Sequence, residues 1–400
     1  MQYAGQACAQ VLVIPETDLR MRVAIITETW PPEINGVALT VQSLARGLTT
    51  LGHAVELVRP RQESEPHAPA DEFEQVLLPG AALPHYPGLR FGLPAQRHLH
   101  RHWSERRPDA LYIATEGPLG FSALGAARRL GIPACTGFHT RFDDFANHYG
   151  LGLLTPLVFA YLRRFHNRAA ATLVPTAELV EFLGSNGFRN VRLLSRAVDT
   201  TLFHPRHRDA QLRARWGLDA NDLAIVHVGR LAAEKNLGLA VRAFEAIQAR
   251  HPRARFVIVG DGPARATLAA QHPQILFAGM LRGEDLARHY ASGDLFLFPS
   301  RSETFGNVTL EALASGVPVV AFDYGAAREH IRSERAGARI ELGNDDRFVE
   351  AALGMADRIA NPRPAHVSDA ARASVSALSP ASVAEHFADL LGSLGRRTAA

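Results

Sequence analysis

RVAIITETWPPEINGVALTVQSLARGLTTLGHAVELVRP, Arg22 to Pro60, holds the unit from which the chain is built. Val23 to Thr27 is an apolar, β-branched run that reads as a buried strand. A loop with Pro31, Pro32 and Gly36 follows, then an amphipathic helix expected from about Val37 to Leu51, a Gly52 stop and a second strand from Ala54 to Arg59. Strand, helix and strand in this order form a βαβ unit. Further strand candidates alternate with helical patterns at Ala110 to Ala114, Pro133 to Phe138 and Thr172 to Pro175. Such alternation implies parallel sheets covered on both faces, an α/β fold of the doubly wound type.

The series pauses at DTTLFHPRHRD, Asp199 to Asp209, a polar, proline-bearing segment that reads as a linker. It then restarts with strands at Leu223 to Val228, Arg255 to Val259, Ile275 to Ala278, Leu295 to Phe298 and Val317 to Phe322. Two domains are therefore expected, the first over residues 21–198 and the second over 209–379. Near the end, Ser379 and Pro380 make a favourable helix start, and Val383, Phe387, Leu390, Leu391 and Leu394 fall on one face.

Composition fits two cores: 400 residues, 47% of them hydrophobic, supply enough apolar material. No apolar run approaches the roughly 20 residues that span a bilayer. The longest, Leu151 to Tyr161, leads into Arg163, Arg164 and His166. Cys8 and Cys135 are the only cysteines, so no disulfide framework is indicated and a reducing cytoplasm is the expected setting. Residues 1–20 lack the pattern of a signal peptide and are expected to lie outside the fold, with Met21 as the true start.

Basic and acidic residues nearly balance, 43 against 40, but unevenly. Arg90 to Arg107 holds five arginines, three histidines, Trp103 and one glutamate, with Arg97 and Arg101 at helical i,i+4 spacing. A basic face against an anionic membrane and a solvated helix both fit. Nucleic acid does not, because no recognition motif accompanies the charge.

Chemistry concentrates in two stretches of the second domain. In VGRLAAEKN, Val228 to Asn236, Arg230 and Lys235 stand just before a helix start. A helix N-terminus repels cations unless an anion lies between, and a diphosphate is such an anion. The alternative is a pair of solvated cations neutralised by Glu234. In ETFGNVTLE, Glu303 to Glu311, one carboxylate lies in a loop after a strand and the other about one turn into the next helix. Acceptor-only carboxylates suit sugar or ribose hydroxyls; a solvated loop charge and helix-dipole compensation are the alternatives. GFHTRFDDFANHYG, Gly137 to Gly150, adds His139, Asp143 and Asp144 at the end of a strand. Gly260 to Pro263 form a turn that turn chemistry alone also explains.

By these motifs, in position and order, the chain resembles the retaining GT-B glycosyltransferases, the family containing phosphatidylinositol mannosyltransferases and sulfolipid synthases, and is most like GDP-mannose-dependent alpha-mannosyltransferases. The resemblance runs from Met21 almost to the end. It implies two Rossmann-like domains facing across a cleft, with residues 380–400 crossing back onto the first. It also implies that Arg230 and Lys235 hold the donor diphosphate, that Glu303 reaches the transferred sugar and that Glu311 reaches the ribose. Phe305, Gly306, Asn307 and Val308 would offer main-chain N–H groups. Gly36 would let its loop approach the phosphates, His139 would lie beside the reacting sugar, and Asp143 and Asp144 would face the acceptor. The expected reaction moves mannose from GDP-mannose, or another sugar from a UDP-sugar, to a lipid or glycan hydroxyl by front-face transfer. No cofactor or metal is expected, the sequence having no Asp-x-Asp constellation. The site would lie in the cytoplasm, at the inner membrane face where the Arg90 to Arg107 patch binds. Competing readings are a nucleotide-sugar 2-epimerase and a non-catalytic membrane-surface binding protein.

Overall fold

The computed structural model describes residues 20–398, apart from 32, 34, 35, 63–71, 83–89, 140–154, 304 and 361–364. Asp143, Asp144 and residues 1–19 thus lie outside the described residues. Strands are numbered in chain order. The first sheet joins β1 (Arg22–Ile26), β2 (Ala54–Pro60), β3 (Glu74–Leu78), β6 (Ala110–Ile113), β7 (Ala134–Gly137), β8 (Ala171–Val174) and β9 (Val191–Leu193). Their spatial order is β3-β2-β1-β6-β7-β8-β9, and every pairing is parallel. A small antiparallel pair, β4 (Gly80–Ala82) and β5 (Arg90–Gly92), lies apart. The second sheet joins β10 (Ala224–Val228), β11 (Arg255–Val259), β12 (Leu276–Gly279), β13 (Leu295–Phe298), β14 (Val319–Phe322) and β15 (Gly337–Ile340). It too is parallel, in the order β12-β11-β10-β13-β14-β15.

Each sheet grows outward from its first strand and then reverses, leaving a switch point between β1 and β6 and another between β10 and β13. Open α/β sheets bind ligands at the carboxyl ends of the strands there. The fold is therefore two Rossmann-like doubly wound sheets, as the alternating pattern implied. Strands β3, β9 and β15 escaped the sequence reading for a physical reason. They are outer strands, partly exposed along their length, and lack the continuous apolar run of a central strand.

Helix Gly36–Thr50 buries Ala38 and packs Val41, Leu44, Ala45 and Leu48 into the core of the first sheet. The terminal helix Pro380–Thr398 begins where Ser379 Oγ accepts the Ser382 N–H at 3.1 Å. Val383, Phe387, Leu391 and Leu394 join the same core as Val23, Ile25 and Tyr112, and Phe387 meets Tyr112 edge-on at 5.0 Å. The segment after Val198 is anchored rather than loose. Asp199 accepts the N–H groups of Thr201 and Leu202, and Arg208 pairs with Asp294 at 2.8 Å.

The basic stretch Arg90 to Arg107 does not form one uniform face. Trp103 is fully buried and donates its indole N–H to Glu56 at 2.8 Å, and His102 contacts the same carboxylate. Arg106 pairs with Glu74, and Arg107 donates to the Leu130 and Gly131 carbonyls at the end of helix Pro118–Leu130. Arg97, His98 and Arg101 on helix Gln96–Glu105 remain exposed. Among the described residues no helix is long and apolar enough to cross a membrane.

Docking of the terminal helix depends on one missing side chain. A Cβ on Gly47 would lie 2.3 Å from the Ala384 Cβ. Gly47→Val should therefore cost about 1–3 kcal/mol, as overpacking does, and lower the urea midpoint of the purified protein. An unchanged midpoint would mean that the two helices do not pack this closely.

Candidate active site

Strands β10 and β13 lie side by side in parallel, with Val226 opposite Phe296, so the loops leaving Val228 and Phe298 emerge together at the switch point. Main-chain bonds join them. Arg301 N–H donates to the Glu234 carbonyl at 3.0 Å, and Tyr324 OH braces the Ser300 carbonyl at 2.7 Å. Lys235 Nζ forms an ion pair with Glu303 Oε1, which also accepts the Ser300 hydroxyl at 2.9 Å. The ammonium lies 5.7 Å from the centre of the Phe298 ring. Lys235 is thus neutralised by Glu303 across the two loops, and not by Glu234 beside it in sequence. Arg230 is exposed and has no ion-pair partner among the described residues.

The loop carrying Arg230 rests on the Gly260 turn. Leu231 N–H donates to the Asp261 carbonyl at 2.9 Å, and a Cβ on Gly260, at φ +134°, would lie 1.9 Å from the Gly229 carbonyl oxygen. This turn therefore seats the cationic loop. At Gly306, which caps helix Asn307–Ala314, the requirement is conformational: φ is +91°, in the left-handed region, while a Cβ would meet nothing closer than 3.4 Å. Phe305 is buried, and Val308 packs partly buried against the same core. Glu311 Oε2 accepts the Tyr290 hydroxyl at 2.8 Å. Burial raises its pKa and the Tyr290 bond opposes that rise. The carboxylate is held by a tyrosine rather than spent on the helix dipole.

A cavity of about 770 Å³ opens between the two sheets, and Asn307 and Glu311 line one side of it while Tyr112, His139 and Arg196 line the other. A Cβ on Gly36 would lie 3.7 Å from Asn307 Nδ2, so the two halves come close there. His139 Nε2 is 2.8 Å from Tyr112 OH, and Nδ1 is 2.8 Å from Arg196 Nη2. Burial, then the Arg196 charge, then His166 hold its pKa well below the ordinary histidine range, so the ring is neutral. Glu28, in the loop after β1, accepts the Leu119 N–H at 3.1 Å. Desolvation pushes its carboxyl up to about 7 against that bond.

Of the residues singled out in the sequence, His139, Asn307 and Glu311 share this cavity, Gly36 stands at its seam, and Lys235 meets Glu303 in the adjoining loops. Arg230 stands apart at the surface. Tyr112, Arg196, Tyr290 and Ser300 were not singled out. Arg196 left a trace, as a charge inside the apolar run LLSRAV, but the others are ordinary in their local sequence. Among the described residues no group of three or more His, Cys, Asp or Glu could hold a metal ion.

Residues 222–358 match the family described as Glycosyl transferases group 1, and residues 34–202 match Glycosyltransferase Family 4. The chain is 35% identical over 339 residues to the GDP-mannose-dependent alpha-mannosyltransferase of Mycolicibacterium smegmatis, covering 83% of this chain and 88% of that one. It is 32% identical over 323 residues to a GDP-mannose-dependent alpha-(1-6)-phosphatidylinositol dimannoside mannosyltransferase of Mycobacterium tuberculosis, covering 78% and 82%. The solved structure of Anabaena HepE in complex with UDP superposes with a TM-score of 0.72 over 93% of this chain and all of that one, at 16% identity, a likeness of fold.

Two outcomes follow from the bonds described. Tyr290→Phe removes a hydrogen bond to a buried carboxylate, a contact worth about 1.5–3 kcal/mol, and should weaken nucleotide binding about tenfold in calorimetry if Glu311 contacts the nucleotide. Between the ordinary carboxyl value and about 7 the folded state holds a proton on Glu28 that the unfolded chain has released, so this group's contribution to stability falls as pH rises. Glu28→Gln should therefore melt higher than the parent above pH 7 and lose that advantage near pH 4; equal melting shifts at both would refute the raised carboxyl.

Proposed function

The chain belongs to the group 1 GT-B glycosyltransferases, and from that premise we propose that it transfers mannose from GDP-mannose to a hydroxyl of a lipid or glycan with retention at the anomeric carbon. The observation that carries this reading is the meeting of Lys235 and Glu303 at the second switch point, beside a cavity faced by His139. Lys235, Arg230 and the N-terminus of helix Asn307–Ala314 then stabilise the departing diphosphate, with Gly36 admitting the amino-terminal loop to the same phosphates. Glu303 receives hydroxyls of the transferred sugar, and Phe305, Gly306, Asn307 and Val308 present main-chain N–H groups. Glu311 receives those of the ribose, oriented by Tyr290.

In front-face transfer the departing phosphate oxygen takes the acceptor proton as the new C–O bond forms and the sugar–phosphate bond breaks. A neutral His139 with both ring nitrogens engaged accords with a reaction that needs no separate base. The charge development is met by protein cations and helix N–H groups, so metal independence is part of the proposal. Mannose and guanosine are favoured because the 35% and 32% identical relatives are named for GDP-mannose. Residues 21–198 with 380–400 form the acceptor domain in this reading, and 209–379 the donor domain. The exposed Arg97, His98 and Arg101 would meet an anionic membrane.

Calorimetric titration of GDP, UDP and ADP in EDTA tests the donor site without knowledge of the acceptor. GDP should bind selectively, and Lys235→Ala should lose about tenfold or more in affinity, the worth of one charge-assisted contact. Equal binding by the variant would remove the phosphate assignment, and binding that requires a divalent ion would remove metal independence.

A further inference from the structure

Arg213 and Arg196, both buried, have opposite surroundings. Arg213 is 4% exposed and pairs with Asp294 at 2.9 Å, as a structural cation does. Arg196 is 6% exposed, and no carboxylate lies within ion-pair distance of it among the described residues. Its Nη1 has no hydrogen-bond partner among the described residues, and its Nη2 donates to His139 Nδ1. An uncompensated guanidinium is costly to bury, and this one borders the cavity.

We propose that Arg196 is a positioning residue for His139: by donating to Nδ1 it places the ring proton on Nε2, toward Tyr112, and keeps the imidazole neutral and outside proton transfer. The inference rests on the sugar-transfer reading for its purpose, though not for its geometry. A guanidinium has donors and no acceptor, so the direction of the chain is fixed. Nδ1 accepts, Nε2–H donates, and the Tyr112 oxygen receives, each bond 2.8 Å long. Gly137 makes room for it, since a Cβ there would lie 2.4 Å from Tyr112 OH and 2.5 Å from His139 Nε2. Phe387 of the terminal helix holds the Tyr112 ring edge-on.

Among the described residues, the groups around His139 all leave it uncharged. Tyr112 faces it from β6, His166 from helix Thr155–His166, and Arg196 from the segment after β9; Cys135 lies on β7 nearby. Glu116 is turned to His166, 3.4 Å from Nε2, and Glu311 stands across the cavity bonded to Tyr290. An imidazolium here would repel a sugar acquiring positive charge. A free ring lone pair would compete with the departing phosphate for the acceptor proton.

The test uses the full chain labelled with 15N-histidine, with His139 assigned by its loss in His139→Gln. Long-range proton–nitrogen spectra should show His139 as the Nε2–H tautomer without titration from pH 5 to 8. In Arg196→Met the ring stays buried but loses the neighbouring charge, so its titration should move up from the parent's toward the ordinary histidine range. In Arg196→Gln, which keeps a donor without the charge, the tautomer should persist at pH 8 while the titration moves up as in Arg196→Met. With GDP-mannose and a total membrane-lipid extract, the rate of Arg196→Met should fall from pH 7.5 to pH 5.5 by more than the parent's does, with KM for GDP-mannose within about twofold. Unchanged tautomer and titration in both variants would overturn the proposal. So would a loss equal at both pH values and confined to the acceptor KM, which would make Arg196 an anion-binding group instead. If the parent turns over no sugar nucleotide, the transfer reading fails while the spectra still decide the lock.

Discussion

The parallel adjacency of β10 and β13 is the constraint on which the site depends. Lys235 and Glu303 are 68 residues apart and meet only because those two strands are neighbours with their carboxyl ends aligned. The strands are buried on both faces, so the loops start from fixed points and are stitched by the Arg301-to-Glu234 bond. Opposite charges are thereby held ready without the entropy of assembling them from mobile chain.

The amino-terminal sheet repeats the geometry and supplies the facing wall. Its β6 carries Tyr112 toward His139, and the last helix of the chain packs Phe387 against that tyrosine. The carboxyl end of the protein therefore underlies a residue of the cavity wall. Asp294 anchors the crossing between the sheets by accepting Arg208, Arg213 and the Ala224 N–H that opens β10. One buried carboxylate thus ties the connecting segment to the same pair of strands that forms the donor-side switch point.

The central strands were legible because burial on both faces demands apolar, β-branched runs, and the observed strands follow those runs within a residue or two. Outer strands β3, β9 and β15 were not, since half-exposed strands relax that demand. The basic stretch from Arg90 to Arg107 shows the limit of reading charge alone. Glu56 and Glu74, far from it in sequence, draw in His102, Trp103 and Arg106, so only part of the apparent patch remains on the surface. Gly306 takes a left-handed backbone, a requirement that its place in the motif did not reveal.

What the sequence by itself determined was periodic or local: alternating strands and helices, the two-sheet architecture, the position of each motif at a strand end, and the family that those motifs indicate. Tertiary structure decided who partners whom. That Lys235 chooses Glu303 over Glu234, that Tyr290 holds Glu311, and that Arg196 sets the His139 ring between itself and Tyr112 all depend on strand order and helix docking. Such contacts join residues 21 to 68 positions apart, and a one-dimensional pattern of propensity and hydropathy holds no term for them until the sheets have brought their ends together.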